Sequence, residues 1–239
     1  EIPSDFGLYY EPVSFSPIND RAITLRGWWI PHQQSQGTII WVHGLDSAKD
    51  GNLEFLAALH NEGYTLLAFD LRGHGESDKV AMGAGQHEQQ DLLGAIDLVK
   101  ERDPDNPIGL IGVSFGGAIV ILTGDDPFVS AVVADSSFAS IPELIEEEVA
   151  GRTSMPAWGA GILKPGIIAT AKWFRNVDIL TVNPAREVSQ IPFPIALIHC
   201  KESHRVPFSH AERIFNNAPE GSPTLFLDGC DHAEGWEKH

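Results

Sequence analysis

An α/β fold, a mostly parallel sheet with helices on both faces, is predicted by three observations. Six short apolar runs punctuate the chain after Gly37, amphipathic stretches separate most of them, and a pair of alternating strands precedes them. A continuous apolar run of strand length suits a strand buried on both faces. Strands that alternate with helices need crossover connections, and those bring the strands into parallel register.

The elements follow in order. Residues 13–15 and 22–29 alternate apolar and polar side chains, and the turn formers Ser16, Pro17, Asn19 and Asp20 lie between them, so an antiparallel hairpin is expected. The buried strands are Thr38–Val42, Thr65–Phe69, 108–111, 129–134, 195–198 and Thr224–Leu227. Helical spacing marks 52–62, 88–100, Phe115–Thr123 and Phe208–Asn217; in the second of these Leu92, Leu93, Ile96 and Val99 form one apolar face. Residues 140–191 break the alternation with some fifty positions that hold two tryptophans and four prolines. An insertion of that length after a strand reads as a lid on a single domain spanning 1–239, rather than as a second domain.

Composition narrows the function. Hydrophobic residues at 43% and charged residues at 21% are the balance of a globular chain, which excludes wholesale disorder. A net charge of −17 repels phosphate backbones and anionic membranes, so no nucleic-acid partner is expected. No apolar run is long enough to span a bilayer. The chain starts at Glu1 rather than Met, which leaves room for a leader or anchor; localisation is not legible, with the cytoplasm as default. Oligomeric state is not legible either.

The chemistry gathers at strand ends. Gly112-Val113-Ser114-Phe115-Gly116 follows a buried strand and opens an apolar helix, which is G-x-S-x-G in the strand–turn–helix context it needs. Glycines at 112 and 116 suit a cramped turn that lifts Ser114 to a helix N-terminus, where N–H groups face incoming negative charge. His43-Gly44-Leu45-Asp46 follows the first parallel strand and is placed to aim a backbone N–H at an oxyanion. The expected donors are the N–H groups of Leu45 and Phe115. Among ten histidines, His232 stands just past the last strand and is the candidate general base.

Together with Asp70-Leu71-Arg72-Gly73-His74-Gly75-Glu76-Ser77, these motifs resemble the serine esterases and lipases of the α/β-hydrolase superfamily, in that family's order. Within it the chain is similar to the monoacylglycerol-lipase-like and cinnamoyl-esterase-like branches. The resemblance implies the α/β-hydrolase fold with a short lid and no cofactor or metal. It further implies an acyl-enzyme on Ser114, a small ester substrate with an apolar acyl group, and a closing helix after His232. The Asp70–Ser77 segment is expected to be scaffold. A serine at the elbow argues against dehalogenase chemistry and against dienelactone-hydrolase-like chemistry.

One segment departs from the family. Val206-Pro207 sets the register, and it puts Ser203 where the triad acid should stand and Cys200 where a glycine is usual. A hydroxyl can orient imidazole without stabilising imidazolium. The acid is therefore open between Glu202, Asp135 and no carboxylate at all; Asp231 is too close in sequence to reach the far ring nitrogen. Alternative readings are amide or peptide hydrolysis, perhydrolysis, and a triad-degraded hydrolase that binds without turnover. His199, Cys200, Cys230 and His232 form a zinc-capable set, but their spacing is not that of structural zinc sites. A Cys200–Cys230 disulfide and two inert thiols both remain open.

Overall fold

Period-two alternation decides which side chains face which layer. In Thr38–Val42, Ile40 and Val42 turn to one side of the sheet while Ile39 and Trp41 turn to the other. Thr65–Phe69 splits in the same way, Leu67 and Phe69 against Leu66 and Ala68. Both strands are buried along their whole length, so each face needs its own cover.

The computed structural model describes residues 1–152, 165–166, 168–170, 172–173 and 177–238. One sheet holds the strands β1 (Glu11–Phe15), β2 (Leu25–Ile30), β3 (Thr38–Val42), β4 (Thr65–Phe69), β5 (Ile108–Val113), β6 (Val129–Asp135), β7 (Ala196–Cys200) and β8 (Thr224–Leu227). Their spatial order is β1-β2-β4-β3-β5-β6-β7-β8. The hairpin β1–β2 and the pair β2–β4 are antiparallel, and every later pairing is parallel. Residues 22–24, expected to start the second strand, precede β2 as turn and loop; Thr24 is held there by its N–H, which donates to Asp78 Oδ2 at 2.8 Å.

Helices α1 (Leu53–Asn61), α2 (Glu88–Arg102) and α3 (Phe115–Thr123) divide the two faces. Leu53 and Leu56 of α1 pack with Trp28, Ile39 and Trp41 on one side. Leu92, Ile96 and Val99 of α2, with Ala118 and Ile119 of α3, fill the other. Every residue of α3 is buried, so it is a core helix rather than an amphipathic one.

The lid-like insertion expected over 140–191 lies partly outside the described residues. Its described part begins with α4 (Ile141–Arg152) and ends near the short α5 (Pro184–Glu187). A hydrogen bond and an ion pair fasten α4 to α6 (Phe208–Asn217): His210 Nε2 donates to Glu147 Oε2 at 2.6 Å, and Arg213 pairs with Glu143. A final short helix, α7 (Gly235–Lys238), sets Trp236 edge-on against Phe55 of α1, with ring centroids 4.8 Å apart. None of the described helices is long and apolar enough to cross a membrane.

The direction of winding places the site. From β3 the chain passes to β4 on one side and later returns to β5 on the other, so the strand order reverses beside β3. In open α/β sheets a crevice opens at the carboxyl ends of the strands at such a point.

Candidate active site

The loops that follow β3, β5, β6, β7 and β8 all carry residues of the candidate site. The elbow comes first. Ser114 has φ 56° and ψ −115°, a strained conformation for a residue with a Cβ. Glycines make it possible: a Cβ on Gly112 would run into the Gly116 carbonyl, and one on Gly116 into the carbonyl of Val42. Ser114 N–H donates to Asp135 O at 2.7 Å, which fixes the turn to the end of β6.

The loop after β3 lies directly over this turn. A Cβ on Gly44 would meet Val113 O at 3.3 Å and Ser114 Cβ at 3.4 Å, so glycine lets the loop close on the elbow. His43 holds it. Its Nε2 accepts the Leu71 N–H at 3.0 Å, which leaves Nδ1–H to donate to Gly44 O at 2.7 Å. Burial pushes the pKa of His43 down to about 4, so this ring stays neutral. Leu45 is thereby set beside the elbow, and the Phe115 N–H is the first of α3, where no intrahelical carbonyl is available to it.

His232 closes the arrangement. Its Nε2 is 2.8 Å from Ser114 Oγ, across 118 residues of chain, and its Nδ1 is 3.2 Å from Ser203 Oγ. For Nε2 to take a proton from Ser114, Nδ1 must carry the ring hydrogen and donate it to Ser203. Ser203 Oγ also accepts the Val206 N–H at 3.2 Å, and a hydroxyl oxygen has two lone pairs for these two donors. Burial, reinforced by the nearby charge of Arg205, pushes the pKa of His232 down to about 4.

Neither candidate carboxylate reaches the ring. Glu202 is exposed and its Oε2 accepts the Gly229 N–H at 3.0 Å. Asp135 is buried at the end of β6, and its Oδ1 accepts the Ser136 hydroxyl at 2.8 Å. Of the three readings left open, both carboxylate candidates are therefore corrected, and Ser203, in the position where the resemblance puts the acid, makes the contact itself. The backbone explains this. The turn after β7 aims Ser203 at the histidine and turns Glu202 outward. Asp231 stays local, accepting the N–H of His232 at 2.6 Å and of His204 at 2.9 Å.

The cysteines pair. Cys200 and Cys230 form a disulfide with 5.4 Å between Cα atoms, which removes both the free-thiol reading and the zinc alternative, since neither sulfur remains as a thiolate. His199 is turned away from them, its Nε2 3.0 Å from Val206 O. The Asp70–Ser77 segment behaves as scaffold. Arg72 grips Asp91 through Nε and Nη2 at 2.9 and 2.5 Å, and Asp70 takes the N–H groups of Lys49 and Glu76, both at 2.8 Å.

Comparison with known proteins bears on the family and the fold. The family model described as "Serine aminopeptidase, S33" matches residues 33–152, half of the chain. The chain belongs to that hydrolase family. Among family relatives, the uncharacterized protein YfhR of Escherichia coli O157:H7 is 27% identical over 222 residues, covering 89% of this chain and 70% of its own. The lysophosphatidylserine lipase ABHD12 of Xenopus tropicalis is 24% identical over 77% of this chain and 47% of its own. Among solved structures, the esterase Pf2001 of Pyrococcus furiosus superposes with a TM-score of 0.78 at 22% identity, over 99% of this chain and 89% of that one. The fold is the α/β-hydrolase fold, with the antiparallel hairpin at the start of the sheet.

Two buried polar residues near these loops carry no signal in the sequence. Lys49, a buried residue of the loop after β3, bonds Asp70 at 2.6 Å and Glu76 at 2.7 Å and lies 4.7 Å from the Trp28 ring centroid. Ser136, whose hydroxyl donates to Asp135 and accepts the Ala233 N–H, is the other. No local motif marks either residue.

Proposed function

We propose that this hydrolase cleaves carboxylic esters through an acyl-enzyme on Ser114. The observation that carries the reading is Ser114 Oγ at 2.8 Å from His232 Nε2, on a strained turn at the N-terminus of a buried helix. Ser114 attacks the ester carbonyl while His232 takes its proton, and the N–H groups of Leu45 and Phe115 receive the oxyanion. His232 then protonates the departing alkoxide, and water repeats the sequence on the acyl-enzyme. Ser203 is the third member, holding the ring in the tautomer that accepts from Ser114. Without a carboxylate the imidazolium is poorly stabilised, which favours reactive esters over amides. The names of relatives, an esterase and a lysophosphatidylserine lipase, support a small ester or lipid substrate. No step needs a cofactor or metal, and the insertion over 140–191 is assigned the part of a lid on one domain.

The test pairs p-nitrophenyl acetate and butyrate with a fluorophosphonate probe, on the native protein and on Ser114→Ala. Ser114→Ala should abolish labelling and lower turnover by several powers of ten while the fold survives. Labelling that persists on another residue would overturn the assignment. Native protein that is labelled yet turns over no ester would favour the second reading, a degraded triad, which the Ser203 contact motivates.

A further inference from the structure

Asp135 is buried and makes no contact with the imidazole, yet it is bonded to both halves of the candidate site. Its carbonyl accepts the N–H of Ser114 at 2.7 Å. Its side chain works through one intermediary: the Ser136 hydroxyl donates to Asp135 Oδ1 at 2.8 Å, and Ser136 Oγ in turn accepts the N–H of Ala233 at 3.2 Å. Ala233 directly follows His232 in the chain.

The backbone is strained at the middle of this relay and at its histidine end. Ser136 has φ 54° and Ala233 has φ 62°, in the left-handed region that residues with a Cβ avoid. Such conformations persist where the surroundings over-determine them. Here the surroundings are identifiable. Ser136 N–H donates to Ile198 O at 2.9 Å, which rotates the hydroxyl toward the histidine loop, and the Asp135 carboxyl fixes the rotor of that hydroxyl. On the other side of His232, Asp231 Oδ1 takes the His232 N–H at 2.6 Å. The histidine's main chain is thus clamped before and after the ring. Beyond the carboxyl lies a mostly apolar cavity of about 370 Å³, lined by Trp41, Phe55, Ile198, Leu225 and Trp236 among others. Burial there raises the Asp135 pKa to about 6, and Oδ1 can accept the Ser136 hydroxyl in either protonation state.

We propose that Asp135 is a positioning residue that acts through the Ser136 hydroxyl on the Ala233 N–H, setting His232 at hydrogen-bond distance from a nucleophile held by Asp135's own carbonyl. The inference rests on the reading of Ser114 and His232 given above. It assigns Asp135 an orienting part that needs an acceptor oxygen, not a negative charge.

The experiment compares Asp135→Ala, Asp135→Asn, Ser136→Ala and the Asp135→Ala/Ser136→Ala pair, with Ser114→Ala alongside. It reads kcat and KM on p-nitrophenyl butyrate, the rate of fluorophosphonate labelling, and the melting temperature. A misplacement of the histidine by a fraction of an ångström should lower kcat and labelling rate together by roughly 10–100-fold in both alanine variants. KM should stay within about twofold, since on this proposal the relay acts on the placement of His232 and not on substrate binding. The double variant should be no slower than the slower single one. Asp135→Asn should recover most of the rate, because its amide oxygen accepts the same bond. If Asp135→Ala fails to fold, Ser136→Ala and Asp135→Asn carry the test alone. Losses that multiply in the double variant, or Ser136→Ala at native speed, would overturn the proposal. So would an Asp135→Asn variant as slow as Asp135→Ala. Ser114→Ala at native speed would instead overturn the reading of the site, and this proposal with it.

Discussion

At Ser203 a single side chain changes what His232 can do. A hydroxyl 3.2 Å from Nδ1 orients the ring, but brings no charge to meet an imidazolium, while burial and Arg205 hold the ring neutral. The base must be unprotonated to accept the Ser114 proton, and its pKa lies near 4 rather than 6.5. The active form therefore persists as pH falls, and is lost only on approaching about pH 4. The pH profile of kcat/KM should show its acid limb there, within the range where circular dichroism reports an unchanged fold. A limb near 6.5 would show the ring to be better solvated than its burial indicates. Ser203→Asp should stabilise the imidazolium, move that limb to higher pH and raise plateau turnover by roughly tenfold or more, since losing the carboxylate costs about 10⁴ in well-studied triads.

Between β7 and α6, and after β8, two loops do the work of one rigid element. The disulfide Cys200–Cys230 joins them, Lys201 Nζ pairs with Asp228 at 2.9 Å, and Glu202 accepts from Gly229. Across the mouth, Arg205 Nη2 lies 3.1 Å from Asp46 Oδ2, tying the same loop to the turn that carries Leu45. Each cysteine sits within three residues of a group that touches or constitutes the imidazole, so the bond restrains the Ser203–His232 pair directly. Closing a loop of 30 residues stabilises the chain by roughly 3–4 kcal/mol. Reduction confirmed by thiol titration should lower the melting temperature by roughly 10 °C in a chain of this size. Ester turnover should fall alongside, below the melting temperature of the reduced form. Melting and turnover that are both unchanged with two titratable thiols would show that the hydrogen bonds alone hold the loops.

Over the whole molecule, the winding of the sheet gathers the candidate site at the carboxyl ends of its strands, while the chain carries a net charge of −17. With 33 acidic against 16 basic residues, the folded state repels itself more than the expanded chain does. Salt screens that repulsion over a Debye length of about 10 Å at 0.1 M. The melting temperature should therefore rise by a few degrees, on the order of 1 kcal/mol, between low salt and about 0.5 M sodium chloride. A melting temperature that falls with salt would show that the exposed ion pairs, such as Arg102 with Glu11, outweigh the net charge.

What the sequence by itself determined was everything encoded in neighbouring residues: strand and helix periods, the glycines of the elbow, and the register in which Val206-Pro207 places Ser203. The continuous apolar runs Thr38–Val42 and Thr65–Phe69 told of two covered faces, and G-x-S-x-G told of a cramped turn, because each rests on local sterics and burial. Only the tertiary structure decided which groups meet across the chain. It left Glu202 and Asp135 off the imidazole, paired the cysteines, and brought Ser136 to a loop 97 residues away. Those outcomes depend on where strand ends fall relative to one another and on which way each Cβ points. Both are set by the packing of the sheet against its helices, so no segment read alone contains them.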